Sequence, residues 1–385
     1  MTIEATVTKA PPYRLLALDG GGIRGLITLG ILARIEALLQ RQLGRNETFV
    51  LADYFDYVGG TSTGAIIATC ISLGWRVGKI QQFYETSGAA MFDRAGFLRR
   101  FRYKFEDEKL AATLRTELGP STTLGDERLR TLLLLVMRNA STDSPWPISN
   151  NPRAKYNDRA RPDCNLNLPL WQLVRASTAA PTYFPPETIE VGNRRFVYVD
   201  GGVTMYNNPA FQLFLMATLA PYGLCWPAGE RTMQVISIGT GAAADANTDL
   251  VPGQMNLIYN ATSIPSALMF AAANEQDFLC RVFGRTVCGA ELDREVGDLI
   301  GPADPLPDGR IPGPVQPKLF TYARYNADLS SSGLARLGLG HIAPEHVQQL
   351  DSVDHIAELK AVGAAAAAQV HDDHFAGFLD TAAAG

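Results

Sequence analysis

Four short apolar runs, each cut off by glycine, limit what this chain can fold into. Leu15–Leu18 ends at Asp19 and the stretch Gly20-Gly21-Gly22-Ile23-Arg24-Gly25. Tyr54–Val58 leads through Gly59-Gly60 to Ser62, Phe196–Val199 ends at Asp200-Gly201-Gly202, and Val235–Ile238 ends at Gly239-Thr240-Gly241. Helical patterns separate these runs. Leu26–Leu39 places Leu26, Leu29, Ile31, Leu32, Ile35 and Leu38 on one broad apolar face, and Asn208-Pro209-Ala210 has the form of an N-cap followed by proline at the first helical position. Glycine-bounded strands alternating with helices predict an α/β fold with a largely parallel sheet. Leu129–Met137 is apolar nearly all round and reads as a buried element of either type.

In such a sheet, ligands bind beyond the carboxyl ends of the strands. Asp19, Ser62 and Asp200 all fall at such ends. Gly60-Thr61-Ser62-Thr63-Gly64 has the G-x-S-x-G form of a nucleophile elbow, in which small residues at Gly60 and Gly64 expose the serine hydroxyl. The same five residues would also suit a tight strand-to-helix turn with a capping serine. The first glycine stretch can turn the amides of Gly21 and Gly22 toward an oxygen that gains negative charge. The following helix N-terminus adds a favourable dipole, Arg24 a fixed positive charge, and Thr63 stands beside the serine on the substrate side. Losing one such donor typically costs about 3 kcal/mol of transition-state stabilisation. Gly20-x-Gly22-x-x-Gly25 also satisfies the dinucleotide fingerprint. Against that reading, Asp19 would repel a pyrophosphate, and no second strand ends in an acidic residue at the expected distance.

The histidines separate two kinds of catalytic machinery. All five (His341, His346, His355, His371 and His374) lie near the C-terminus, so a Ser-His-Asp triad needs one to fold back onto an elbow close to the start. A serine–aspartate pair needs none, and Asp200 is then the base. An aspartate with the ordinary pKa of about 3.9 is a weak base, so the pair requires a partly desolvated site.

Composition excludes several function classes. A net charge of -5 argues against bulk affinity for a nucleic acid polymer. Five scattered cysteines without CxxC spacing read as reduced thiols rather than a disulfide frame or zinc site. Residues 1–12 lack an apolar core of signal-peptide length, and the apolar stretch Ala65–Trp75 is too short to span a bilayer. The expectation is a cytosolic protein that touches the inner face of a membrane only peripherally.

Taken in order, DGGGIRG, GTSTG and Asp200-Gly201-Gly202 resemble the patatin family of lipid acyl hydrolases. Arg175-Ala176-Ser177-Thr178-Ala179-Ala180-Pro181-Thr182-Tyr183-Phe184-Pro185, Asn207-Asn208-Pro209 and Ser237-Ile238-Gly239-Thr240-Gly241 extend the similarity from about Tyr13 to past Asp351. The resemblance implies a three-layer α/β/α sandwich and a Ser62–Asp200 dyad. It places Gly21, Gly22 and Arg24 around the oxyanion, requires no metal or other cofactor, and implies phospholipids or related acyl esters as substrates. Some bacterial members respond to cyclic-nucleotide signals, which makes a small anionic activator a further expectation. Two alternatives remain at this stage: a histidine-dependent serine esterase, and a module gated by an anionic ligand.

The organisation read from the sequence is an N-terminal tail (1–12) and one catalytic domain (13–385). The domain contains a Pro/Gly-rich loop at 301–317 and a helical C-terminal tail from about 352. Within Arg94–Phe105, Arg100 to Phe105 alternates cations with aromatics, as a half-buried strand with a basic face does. It would also suit a flap that adsorbs to anionic headgroups. Ser263–Phe283 reads as a helix whose apolar face, including Leu268, Met269 and Ala272, packs in the core or lines an acyl channel. His371-Asp372-Asp373-His374 reads as a polar helix face rather than a metal pair.

Overall fold

A computed structural model describes residues 2–92, 103–181, 184–242, 257–293, 295–300 and 317–379. Residues 94–102 of the basic segment, Thr182, Tyr183 and almost all of the Pro/Gly-rich loop therefore lie outside the described residues.

The apolar runs form the sheet. Strands β1 (Tyr13–Leu18), β2 (Tyr57–Thr61), β3 (Leu132–Asn139), β7 (Met233–Ile238), β8 (Arg285–Cys288) and β9 (Thr321–Tyr325) are parallel, in the order β3-β2-β1-β7-β9-β8. Strands β4 (Ser144–Ser149), β5 (Glu187–Val191) and β6 (Arg194–Asp200) are antiparallel additions at the β3 end. Every residue of β1 and β7 is buried, as expected of parallel strands covered on both faces. Alternate residues feed two cores. Leu16, Leu18, Val58, Leu133, Leu135 and Ile236 face one, while Leu15, Ala17, Leu132, Leu134 and Val235 face the other. The sheet is therefore the middle of three layers.

One outer layer holds α2 (Gly25–Gln42), α3 (Thr63–Ser72), α4 (Val77–Phe92), α5 (Tyr103–Leu118), α6 (Leu170–Ser177) and α11 (Ile356–Ala366), with α11 packed along α2. The other holds α1 (Ile3–Thr8), α7 (Ala210–Thr218) and α8 (Leu257–Phe283). Short helices α9 (Ser331–Arg336) and α10 (Pro344–Gln348) lead into α11.

Several expectations need correction. The first residues are not a tail: α1 buries Thr6 and Val7, and Lys9 beyond it bonds to Asp56 at 2.7 Å. The run from Tyr54 becomes strand only at Tyr57, because Leu51–Asp53 forms a 3-10 turn, and it continues through both glycines to Thr61. Tyr103–Phe105 begins a helix rather than ending an alternating strand. The helix-forming sequence after it buries Leu110, Leu114 and Leu118 at a spacing of four, which outweighs three alternating pairs. Asn208 Oδ1 accepts from Ala210 N, but the helix starts at Ala210 with Pro209 as its N-cap, one residue later than the sequence suggested. The C-terminal stretch is packed, not loose: Phe375 and Phe378 are buried and Arg14 Nε donates to the Phe378 carbonyl. His371–His374 lies on a 3-10 segment, where Asp372 pairs with Arg41 and His374 bonds to Tyr325. Leu268 is 65% exposed, so the N-terminal half of α8 is not core at that position. Among the described residues no helix is long and apolar enough to cross a membrane, and all five cysteines are unpaired.

Candidate active site

Register explains how two residues 138 positions apart meet. Along one edge of β3, β4 pairs continuously from Leu134 to Asn139. The other edge is shared. β2 pairs with Leu132 to Val136 and stops at Thr61, and β6 pairs with Met137 to Asn139 and stops at Asp200. The two strands thus run toward each other along one edge and end nose to nose. The chain leaves β2 at Ser62 and β6 at Asp200, and Ser62 Oγ donates to Asp200 Oδ2 at 2.7 Å. The sequence placed Asp200 at the end of a parallel strand. It ends an antiparallel one that arrives at the same rim from outside.

The turn at Ser62 is sharp. Its φ of 55° lies in the left-handed region, which L-residues avoid unless their surroundings enforce it. Here they do. A Cβ on Gly60 would collide with the Gly64 carbonyl, and one on Gly64 with the Leu18 carbonyl, so the elbow is pressed against itself and against the end of β1. Ser177 closes the ladder that the turn interrupts: Ser62 N donates to Ser177 Oγ (2.9 Å), which donates to the Val136 carbonyl (2.6 Å).

Asp200 is buried, and its Oδ1 accepts from Gly202 N at 2.6 Å. Burial pushes its carboxyl up to about 6, against the pull of the Ser62 and Gly202 hydrogen bonds and of the Arg175 charge. None of the five histidines hydrogen-bonds to Ser62 or Asp200. His346 and His355 meet Glu358, and His374 meets Tyr325.

The glycine loop stands across from this pair. Gly20 N is taken by the Asn207 carbonyl and Ile23 N by the Leu350 carbonyl, whereas the amides of Gly21 and Gly22 bond to no described residue. Arg24 is a brace for the loop: its Nε reaches the Gly21 carbonyl and its Nη1 the Gln348 carbonyl. Thr63 Oγ1 points away to Tyr84 Oη at 2.5 Å, so only the Thr63 amide, at the start of α3, can serve a ligand. Asp19 is buried behind the loop and held bidentately by Arg324 (2.8 and 2.5 Å), which removes it from any phosphate-binding role. Burial pushes the Asp19 carboxyl up and the Arg324 guanidinium pulls it back.

Beside the pair, Asn207 Oδ1 is buried without a hydrogen-bond partner. A Cβ on Gly202 would sit 3.0 Å from Asp200 Oδ1 and 3.1 Å from Asn207 Oδ1, so a side chain there would fill the space between the two oxygens. Gly202 also faces Met269 of α8. Val203, Met205, Leu268 and Phe270 are exposed apolar side chains on these two elements.

The sequence assigned no role to Arg175, Ser177, Asn207 or Arg324. Only Arg324 carried a signal of its own, as a cation inside the buried strand β9 that requires a carboxylate partner.

An α/β/α sandwich with a serine elbow, a carboxylate on it and a glycine loop opposite defines a class of esterase-like proteins. Residues 16–214 match the family model described as patatin-like phospholipase, and the chain belongs to that family. It is 31% identical over 212 residues to a cGAMP-activated phospholipase of Vibrio cholerae serotype O1, covering 51% of this chain and 56% of the relative. It is 28% identical to Patatin-T5 of Solanum tuberosum, covering 63% and 64%, and 29% identical to a cGAMP-activated phospholipase of Escherichia coli, covering 62% and 64%. The chain thus spans less than two thirds of the length of these relatives. Among solved structures, VipD from Legionella pneumophila is similar with a TM-score of 0.35 and 13% identity, over 91% of this chain and 67% of that one.

Proposed function

We propose that this chain is a serine lipid acyl hydrolase that releases fatty acids from phospholipids or related acyl esters through a Ser62–Asp200 dyad. The observation that carries this is the 2.7 Å bond from an elbow serine to a buried carboxylate. Asp200 takes the Ser62 proton as Oγ attacks the acyl carbonyl. The oxygen that gains charge is met by the amides of Gly21 and Gly22, with the Thr63 amide at the helix N-terminus beside it. Arg24 acts by holding the loop. The leaving alcohol takes the proton from Asp200, and water then attacks the acyl-enzyme, passing its proton through Asp200 back to Ser62. The exposed apolar side chains beside Gly202 fit a substrate that is presented at a lipid surface. Two relatives bear names that specify activation by cGAMP, which supports a small anionic activator here as well. The test is fatty-acid release from phosphatidylcholine vesicles by the wild type and Ser62→Ala, with and without a cyclic dinucleotide. If a folded wild type neither releases fatty acid nor reacts with a fluorophosphonate under any of these conditions, the chain is a binding module instead.

Because the base must be ionised, kcat/KM on a soluble nitrophenyl ester should fall about tenfold per pH unit below about pH 6. A limb that stays flat to pH 4.5 would contradict a buried carboxylate base. One near neutrality that vanishes on replacing a histidine would identify a triad.

In the proposed mechanism Asn207 Oδ1, unpartnered and across the Gly202 space from Asp200 Oδ1, accepts the second hydrogen of the hydrolytic water while Asp200 accepts the first. Asn207→Ala should keep the initial burst of nitrophenol and slow the steady phase about tenfold, which corresponds to one hydrogen bond of about 1.4 kcal/mol. Equal loss from both phases would show that Asn207 only supports the loop.

A further inference from the structure

The outer wall of the glycine loop is the end of α10 and the connection from it to α11. Its Gln348 carbonyl accepts from Arg24 and its Leu350 carbonyl from Ile23 N, at 3.1 and 3.0 Å. A Cβ on Gly22 would run into the same Leu350 carbonyl, so the contact is close. The two ends of this connection are drawn together by His346 on α10, His355 at the start of α11 and Glu358 in its first turn.

Their donor atoms lie close enough together to serve as a ligand set. His346 Nδ1 lies 2.9 Å from Glu358 Oε2, and His355 Nδ1 lies 3.2 Å from the same oxygen. The two imidazoles stack face to face, with centroids 3.8 Å apart and planes within 15°, so one ring must turn about its Cβ–Cγ bond for both in-plane lone pairs to meet a single ion. One donor atom from each residue falls within 4.8 Å of the other two, and no other such trio exists among the described residues. Tetrahedral zinc with bonds of about 2.0–2.1 Å needs ligand-to-ligand edges of about 3.3 Å, and two edges here are already close to that. Two imidazoles and one carboxylate suit zinc or a similar first-row divalent ion. Each side chain is about one-third to two-fifths exposed, which leaves room for water at a fourth position.

We propose that His346, His355 and Glu358 form a zinc-binding site that joins α10 to α11 and thereby holds the Gln348–Leu350 wall against the glycine loop. The ion takes no part in bond making. It fixes the backbone whose carbonyls hold Ile23 and Arg24, and this holds whether or not Ser62 acts on lipids.

The test uses the full chain stripped with a chelator. Calorimetric titration with zinc should give one equivalent, and cobalt(II) should give the intense visible bands of four-coordination. His346→Ala, His355→Ala and Glu358→Gln should each weaken zinc binding at least about tenfold. All three change half-buried side chains, and thermal melts of each variant check that it folds. Zinc should slow hydrogen exchange at amides 21–25 several-fold in the wild type and not in His355→Ala. Binding that survives all three substitutions, or no binding by the wild type, overturns the site. Binding that leaves exchange at 21–25 unchanged overturns its coupling to the loop.

Discussion

Ser62→Ala should lower ester turnover by about four orders of magnitude or more, with the fold intact, because no other hydroxyl is presented on the elbow. Asp200→Asn should match that loss, since an amide cannot take the proton, and it should also make the protein more stable. The sign follows from the shift. The folded carboxyl titrates near 6 and the unfolded one near 3.8, so between those values the folded state holds more protons and stability falls as pH rises. A shift of that size is about 2–3 kcal/mol against the ionised form at pH 8, and an asparagine escapes it. Urea melts should therefore show Asp200→Asn ahead of wild type at pH 8, with the gap closing toward pH 4. An Asp200→Asn protein that keeps turning over ester, or that melts earlier at pH 8, would remove Asp200 from the role of buried base.

Arg324→Met should destabilise the fold by about 3–5 kcal/mol, the cost of leaving a buried carboxylate without its partner. The Arg324–Asp19 pair is bidentate, almost fully buried and extended by a 2.7 Å bond from Arg324 to Ser237. Asp19 immediately precedes the glycine loop, so the loss also loosens the floor on which Gly20 to Gly22 rest. The double variant Asp19→Asn/Arg324→Met should regain much of the stability, because the uncompensated charge is gone. Denaturant melts distinguish these cases. A cost below 1 kcal/mol for Arg324→Met would mean that Asp19 finds another partner or a proton.

The sequence showed the parallel strands and α2 well, because long apolar patterns closed by glycine have few other uses. It also brought Ser62 and Asp200 to strand ends and marked Gly60 and Gly64 as positions that must lack a side chain. It did not show the direction of β6, since strand polarity depends on which neighbour the strand finds and not on its own residues. Ser177 and Asn207 act through one hydroxyl and one amide on segments far from the elbow, and no local pattern marks them. The apolar pattern of α8 was equally silent about its cover: Leu268 belongs to an apolar stripe yet faces outward. Alternation misled at Tyr103–Phe105, where three pairs are too few to oppose a helix with leucines every fourth residue.

The abutment of β2 and β6 on one edge of β3 makes the Ser62–Asp200 contact detachable. β6 pairs with β3 at three residues, Tyr198 to Asp200, with Val197 bonded to Ala140 N and Ser141 Oγ just beyond, and the hairpin it shares with β5 presents Glu190, Arg194 and Arg195 to solvent. Peeling that hairpin away would carry the Asp200 carboxylate off while six parallel strands and the elbow stayed in place. The Ser62–Asp200 contact can therefore be lost and regained by a local fraying far smaller than unfolding, and under the proposed mechanism a nascent chain stays inert until residue 200 has docked.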